Sequence, residues 1–159
     1  MRRILAHYCS GLTIVAAVVD GAPVGLTCQS FFSVSLEPPL VALSVGKSST
    51  SFPAIRHASA LSINVLAGHQ RDVSSAFARS GTDKWRGIDW RPGRYGQPVL
   101  HGAIAWFECR IRDIHDAGDH EIVVADVLDL GCDETAEPLL FFRSEYRELV
   151  AAQRPAAAS

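Results

Sequence analysis

Two strand-like runs, residues 104–114 and 121–130, stand six residues apart across the polar linker His115-Asp116-Ala117-Gly118-Asp119-His120, and that pairing constrains the fold most. Runs of β-branched and apolar residues this long, joined through a glycine-bearing turn, predict a long antiparallel hairpin. Shorter runs of the same character surround it. Residues 12–19 and 24–29 flank the turn cluster Asp20-Gly21-Ala22-Pro23, which predicts a second hairpin. Residues 40–45, 61–66 and 139–142 read as further strands, with Pro38-Pro39 marking the entrance to the first of these.

Helical signals are few and short. Ile4, Leu5 and Tyr8 recur at helical spacing before Gly11. Ser51 is placed to cap a short helix over 52–57 with Pro53 in its first turn, and residues 69–79 put Val73, Ala76 and Phe77 on one helical face. Residues 81–97 carry four glycines together with Trp85, Trp90 and Tyr95, which predicts a long irregular loop with aromatic anchors. Many strands and few helices predict a mainly β chain, a closed antiparallel barrel with helical additions. One domain over 1–150 accounts for the core that 159 residues at 48% hydrophobic content can build, and the Ala/Pro-rich stretch 151–159 reads as a disordered tail.

Composition excludes several function classes. A formal net charge of −2 leaves no basic surplus for a phosphate backbone, so nucleic acid is not an expected partner. No apolar run reaches the roughly 18 residues of a membrane span, and polar residues interrupt the signal-like segment after Arg2-Arg3, so the expectation is a cytoplasmic protein. Cys9, Cys28, Cys109 and Cys132 form no C-x-x-C pair, which argues for reduced thiols and against a zinc knot or disulfide scaffold. His115, Asp116, Asp119 and His120 could be read as metal ligands, but such clusters are usually solvated turns, and no metal is expected. No G-x-S-x-G elbow and no G-x-G-x-x-G after a strand is present, which sets aside a serine hydrolase and a Rossmann dehydrogenase.

Residues 24–49, VGLTCQSFFSVSLEPPLVALSVGKSS, place hydroxyls, an amide and a lysine between two apolar runs. Thr27, Cys28, Gln29 and Ser30 can offer backbone N–H groups and short side chains to a planar polar ring. Ser33, Val34 and Ser35 can line its far side, and Lys47, Ser48, Ser49 and Ser51 have the chemistry to hold a phosphate. On spacing alone, the same serines equally suit strand and helix caps, with Lys47 a solvated charge.

The pattern T-x-x-S-F-x-S-V-S-L-x-P-P-L from Thr27 to Leu40, together with Gly118-Asp119-His120, resembles the flavin reductase-like family. These FMN-binding split barrels serve as small reductase components of two-component flavin monooxygenases. The resemblance runs from about Leu5 to about Glu148 and implies a homodimeric FMN-binding split β-barrel. It implies an NAD(P)H:flavin oxidoreductase of the EC 1.5.1 type that passes hydride from NADH or NADPH to FMN or FAD and hands reduced flavin to a separate monooxygenase. It also adds Phe77, Ala78 and Arg79 as cofactor contacts, His120 as the catalytic candidate, and Gly118, Asp119, His120, Arg143 and Tyr146 as the nicotinamide site. Many relatives carry Asn where this chain has Gln29, and the family has slightly more chain before Leu5, which implies a native start further upstream. The alternatives are a flavin- or haem-binding carrier or sensor on the same barrel, and a pyridoxamine-phosphate-oxidase-like or deazaflavin-dependent reductase. The Gly-Asp-His turn argues against the last two.

Overall fold

The computed structural model describes residues 1–149, so the Ala/Pro-rich tail lies outside the described residues. In chain order the elements are α1 (Arg2–Leu5), β1 (Ser10–Gly11), β2 (Thr13–Val19), β3 (Ala22–Cys28), β4 (Phe32–Leu36), β5 (Pro39–Gly46), α2 (Phe52–Ile55) and β6 (Leu61–Val65). A single 3₁₀ turn, Gly68–Gln70, then leads into α3 (Arg71–Ala78), β7 (Trp90–Pro92), β8 (Pro98–Leu100), β9 (Ala105–Ala117), β10 (His120–Cys132), β11 (Leu140–Phe142) and β12 (Glu145–Arg147).

Seven strands form one antiparallel sheet in the order β3-β2-β6-β9-β10-β5-β4. Side chains alternate in and out along each strand, so Val15 and Ala17 of β2, Val41, Leu43 and Val45 of β5, and Val123 and Ala125 of β10 meet in one buried cluster. Phe52 and Ile55 of α2 join that cluster and plug the barrel interior. The opposite face of β2 is covered too, since Leu12, Ile14 and Ala16 pack with Leu66, Phe77 and Leu100. Burial on both faces is why this strand reads as a near-continuous apolar run instead of an alternating one.

α3 lies against β3 because Gly25 makes room for it: a Cβ at that position would stand 2.5 Å from the Phe77 ring. Phe77, Trp85 and Trp90 then stack edge to face, at 4.8 and 6.0 Å between ring centroids. These rings anchor the segment after α3, as the sequence predicted. Part of that segment is more regular than predicted, since β7 and β8 pair around residues 93–97. The local cause is Glu108, fully buried on β9, whose carboxylate accepts the N–H groups of Tyr95 (3.0 Å) and Gln97 (3.2 Å). Buried Ser62 and Asn64 of β6 likewise donate to the carbonyl of Pro98, at 2.6 and 3.1 Å.

Four details differ from the sequence reading. β4 is an additional strand; on the sheet edge it buries little, so it lacks an inward apolar pattern. The linker expected to span 115–120 tightens to two residues, because Ala117 pairs with His120 and only Gly118 and Asp119 lie between them. Gly118 takes a φ of 73°, a value that suits glycine at the first position of a two-residue turn. The hydroxyl at the start of α2 comes from Ser49, which accepts the Phe52 N–H at 3.1 Å, while Ser51 makes no such cap. The last strand is followed by β12 across an Arg143-Ser144 turn in which both residues have positive φ, 53° and 64°.

Replacing Glu108 by Ala leaves the Tyr95 and Gln97 N–H groups without their acceptor. Each orphaned donor costs roughly 1–3 kcal/mol, so Glu108→Ala should lower the unfolding free energy by at least about 2 kcal/mol in a urea titration. An unchanged midpoint would show that the carboxylate does not hold this loop.

Candidate active site

The barrel does not close by a ladder between β3 and β5. β3 pairs with β2 alone and β5 with β10 and β4, so the free edge of β3 faces a seam. Ser30 bridges it: its hydroxyl donates to the Ser44 carbonyl (2.8 Å) and accepts the Ser44 N–H (2.7 Å), in the manner of a strand residue. The Cys28 thiol lies 3.2 Å from the same hydroxyl.

Along this seam opens a cleft of about 730 Å³. Its walls are residues 26–30 of β3 and the turn after it, Ser44, Val45 and Gly46 of β5, Ser48 to Thr50 of the following loop, Phe77, Ala78, Ser80, Lys84, Leu5 and His120. No Asp or Glu is among these lining residues. A free strand edge supplies backbone donors and acceptors, Leu26, Val45 and Phe77 supply apolar surface, and the hydroxyls with one ammonium supply anion donors. That donor set fits a planar heteroaromatic ring carrying a phosphate.

Of the residues singled out from the sequence, Thr27, Cys28, Gln29, Ser30, Ser48, Ser49, Phe77, Ala78 and His120 line the cleft. Several are engaged in the fold as well: the Thr27 hydroxyl donates to the Ser74 carbonyl of α3 at 2.7 Å. Ser33, Val34 and Ser35 sit on the edge strand β4 and are not in the lining. Arg79 is exposed just beyond α3, and the adjacent Ser80 lines the cleft in its stead. Lys47 is also outside the lining, its ammonium paired with the Asp116 carboxylate. Ser51 is buried and reaches the site only through Lys84, whose ammonium donates to it at 3.1 Å and to the Gly25 carbonyl at 3.2 Å.

Lys84 is the residue sequence reasoning missed. Partial burial without a carboxylate partner pulls its pKa below the ordinary lysine value. Ser44, Thr50 and Ser80 were missed too; Thr50 lies inside the hydroxyl cluster 48–51, whereas no local pattern marks Lys84, Ser44 or Ser80.

His120 stands at the mouth, paired in register with Gly46, its Nδ1 2.7 Å from the Asp119 carboxylate. The neighbouring imidazole holds the Asp119 carboxyl below its usual pKa, with Lys47 adding to the effect. Arg143 and Tyr146 lie elsewhere. The Arg143 N–H donates to the Ala6 carbonyl (2.8 Å), and the Tyr146 hydroxyl meets Ser75 (3.0 Å) and Ser74 (3.2 Å) on α3, with Arg71 5.0 Å over its ring. Among the described residues no group of three or more His, Cys, Asp or Glu is placed to hold a metal.

The flavin reductase-like domain model matches residues 5–150. The chain belongs to the flavin reductase-like family. It is 42% identical over 147 residues to the reductase subunit HsaB of a flavin-dependent monooxygenase from Mycobacterium tuberculosis, covering 91% of this chain and 79% of that protein. It is 41% identical over 140 residues to the NADH-dependent FMN reductase SmoA of Agrobacterium fabrum, covering 88% and 79%. Its backbone superposes with a TM-score of 0.90 on the NADH:FAD oxidoreductase SgcE6 of Streptomyces globisporus C-1027, solved with NAD and FAD fragments, at 31% identity and 96% and 93% coverage.

The thiols of this flavin reductase-like chain divide by environment. Burial, with the charges of Asp126 and Glu108, pushes Cys109 up to about 12, and burial also raises Cys28. Cys9 and Cys132 are exposed. At pH 8 a thiol of pKa about 12 is thiolate on the order of once in ten thousand molecules. A disulfide reagent should therefore titrate two thiols rapidly in the native protein and all four in denaturant; three or four fast equivalents in the native state would contradict these burials.

Proposed function

We propose that this protein is an NAD(P)H:flavin oxidoreductase, of the EC 1.5.1 type, that reduces FMN or FAD for a separate flavin-dependent monooxygenase. The observation that carries the reading is the carboxylate-free cleft at the β3–β5 seam, walled by backbone edge, hydroxyls and Lys84, with His120 at its mouth. A flavin held there would supply the redox chemistry, accepting a hydride equivalent from the reduced nicotinamide.

The chain's own residues bind and orient. In this reading the free edge of β3 and the turn at Gln29 and Ser30 meet the ring's polar edge, Phe77 and Ala78 cover its apolar part, and Ser48, Ser49, Thr50 and Lys84 take the phosphate. Lys84 serves here in place of Lys47, because the Lys47 charge is already met by Asp116. His120, with its Nδ1 engaged by Asp119, turns its other nitrogen to the donor, and Gly118 and Asp119 supply the turn. Positioning of this kind, not proton transfer, is what hydride movement between two stacked rings requires. Arg143 and Tyr146, both outside the cleft lining, take no part in holding the ring in this reading.

A homodimer is part of the proposal. The edge strand β4 exposes Phe32 (52%), Val34 (48%) and Leu36 (89%), an unpaired apolar border of the kind that a second copy covers. A cytoplasmic location accords with four unbridged thiols and with the supply of reduced nicotinamide.

Purified protein mixed anaerobically with NADH and excess FMN or FAD should bleach the flavin absorbance catalytically; stoichiometric binding without turnover would favour a carrier or sensor. Charge-assisted contacts contribute about 1.5–3 kcal/mol, so Lys84→Met should weaken FMN binding roughly tenfold or more while riboflavin affinity stays within about twofold. Equal losses for both ligands would remove Lys84 from the phosphate. His120→Ala should raise the NADH KM or lower kcat/KM and leave flavin affinity unchanged. A lower melting temperature with unaltered stopped-flow flavin reduction would make His120 a hairpin residue only.

A further inference from the structure

The β9–β10 hairpin reaches well past the strand that supports β9. β6 pairs with β9 only as far as Cys109, so from Arg110 to Ala117 the ribbon is held from one side, by β5 against β10. That support ends at the Gly46–His120 pair, and the next residue along is Lys47. Its backbone N–H donates to the Asp119 carbonyl at 2.9 Å, and its ammonium pairs with the Asp116 carboxylate. The other oxygen of Asp116 accepts the Gly118 N–H at 3.3 Å. One residue beyond the ladder thus ties both turn residues, Asp119 directly and Gly118 through Asp116.

We infer that Lys47 is a positioning residue for the nicotinamide donor: it clamps the Gly118-Asp119-His120 turn at the cleft mouth so that the imidazole meets the donor in one orientation. The inference rests on the reading that His120 contacts nicotinamide. The clamp acts through Asp116 and the turn backbone, and Asp119 passes the constraint to the ring through its 2.7 Å contact with Nδ1. An imidazole that donates from Nδ1 presents Nε2 as an acceptor, and Nε2 is the ring nitrogen on the Gly46 side of the cleft. An amide N–H, such as that of the nicotinamide carboxamide, is the complementary group.

The ion pair is exposed, 42% and 77% at the two side chains, so its effect is modest and salt-sensitive. Lys47→Met should raise the NADH KM about three- to fivefold with kcat nearly unchanged, and leave FMN and riboflavin affinities within about twofold. Lys47→Arg should restore most of the NADH affinity. Added salt should raise the NADH KM of the parent more than that of Lys47→Met, and amide exchange at 118–120 should quicken in the Met variant. Unchanged exchange overturns the clamp, and so does an unchanged KM in Lys47→Met when His120→Ala is impaired. An unchanged KM in both variants instead overturns the reading of His120. Loss of FMN affinity with riboflavin spared would make Lys47 a phosphate ligand and overturn the clamp as well.

Discussion

A single hydroxyl decides where this barrel opens. Ser30 both donates to and accepts from the backbone of Ser44, which holds the end of β3 beside β5 where no ladder joins them. Were the two strands fully paired, the edge groups of β3 would be consumed and no cleft would exist. Were they unbridged, the apolar interior built from Val15, Leu26, Leu43 and Val123 would lie open to water along that seam. The bridge gives closure at one point and leaves free edge next to it. Lys84 shows what that edge offers, since its ammonium already uses the Gly25 carbonyl.

Charge is sorted by position around the same opening. The cleft lining carries an ammonium, hydroxyls and backbone groups, while the carboxylates Asp116 and Asp119 stand at the hairpin tip, each already paired. A carboxylate inside the cleft would repel a phosphate in a partly desolvated space, where charges interact more strongly than in water. At the tip, in solvent, the same charge serves to fix an imidazole and a turn. The two lysines differ for the same reason: Lys47 is paired with Asp116, and Lys84 has no ion pair among the described residues and donates to a carbonyl and a hydroxyl instead.

Much of this was legible in the sequence because periodicity and turn chemistry are local. The strands around Asp20-Gly21 and Gly118-Asp119, the apolar face of α3, and the family pattern beginning at Thr27 all declare themselves within short continuous stretches of chain. Ser30 and His120, which line the cleft, both stand in such local patterns. What was not legible depends on contacts far apart in the chain. β4 hides because an edge strand need not alternate, and Ser33, Val34 and Ser35, singled out as part of the family pattern, lie on it outside the cleft lining. Lys84 reaches Ser51 across 33 positions and Lys47 reaches Asp116 across 69, so neither pairing leaves a spacing signal.

The hairpin tip carries a conflict that its local pairs resolve. In the proposed function this tip meets the second substrate, and it stands in solvent, beyond the reach of the buried clusters that order the rest of the sheet. The strand ladder stops at Gly46 and His120, with one further backbone bond from Lys47 to Asp119, and an exposed two-residue turn held by that alone would sample several arrangements on fast timescales. Burying the tip would order it and close the entrance. Short-range pairs at the surface, Lys47 with Asp116 and Asp119 with His120, order it without burial. Such pairs are individually weak, which suits the proposed role, in which one substrate leaves before the next reaction begins.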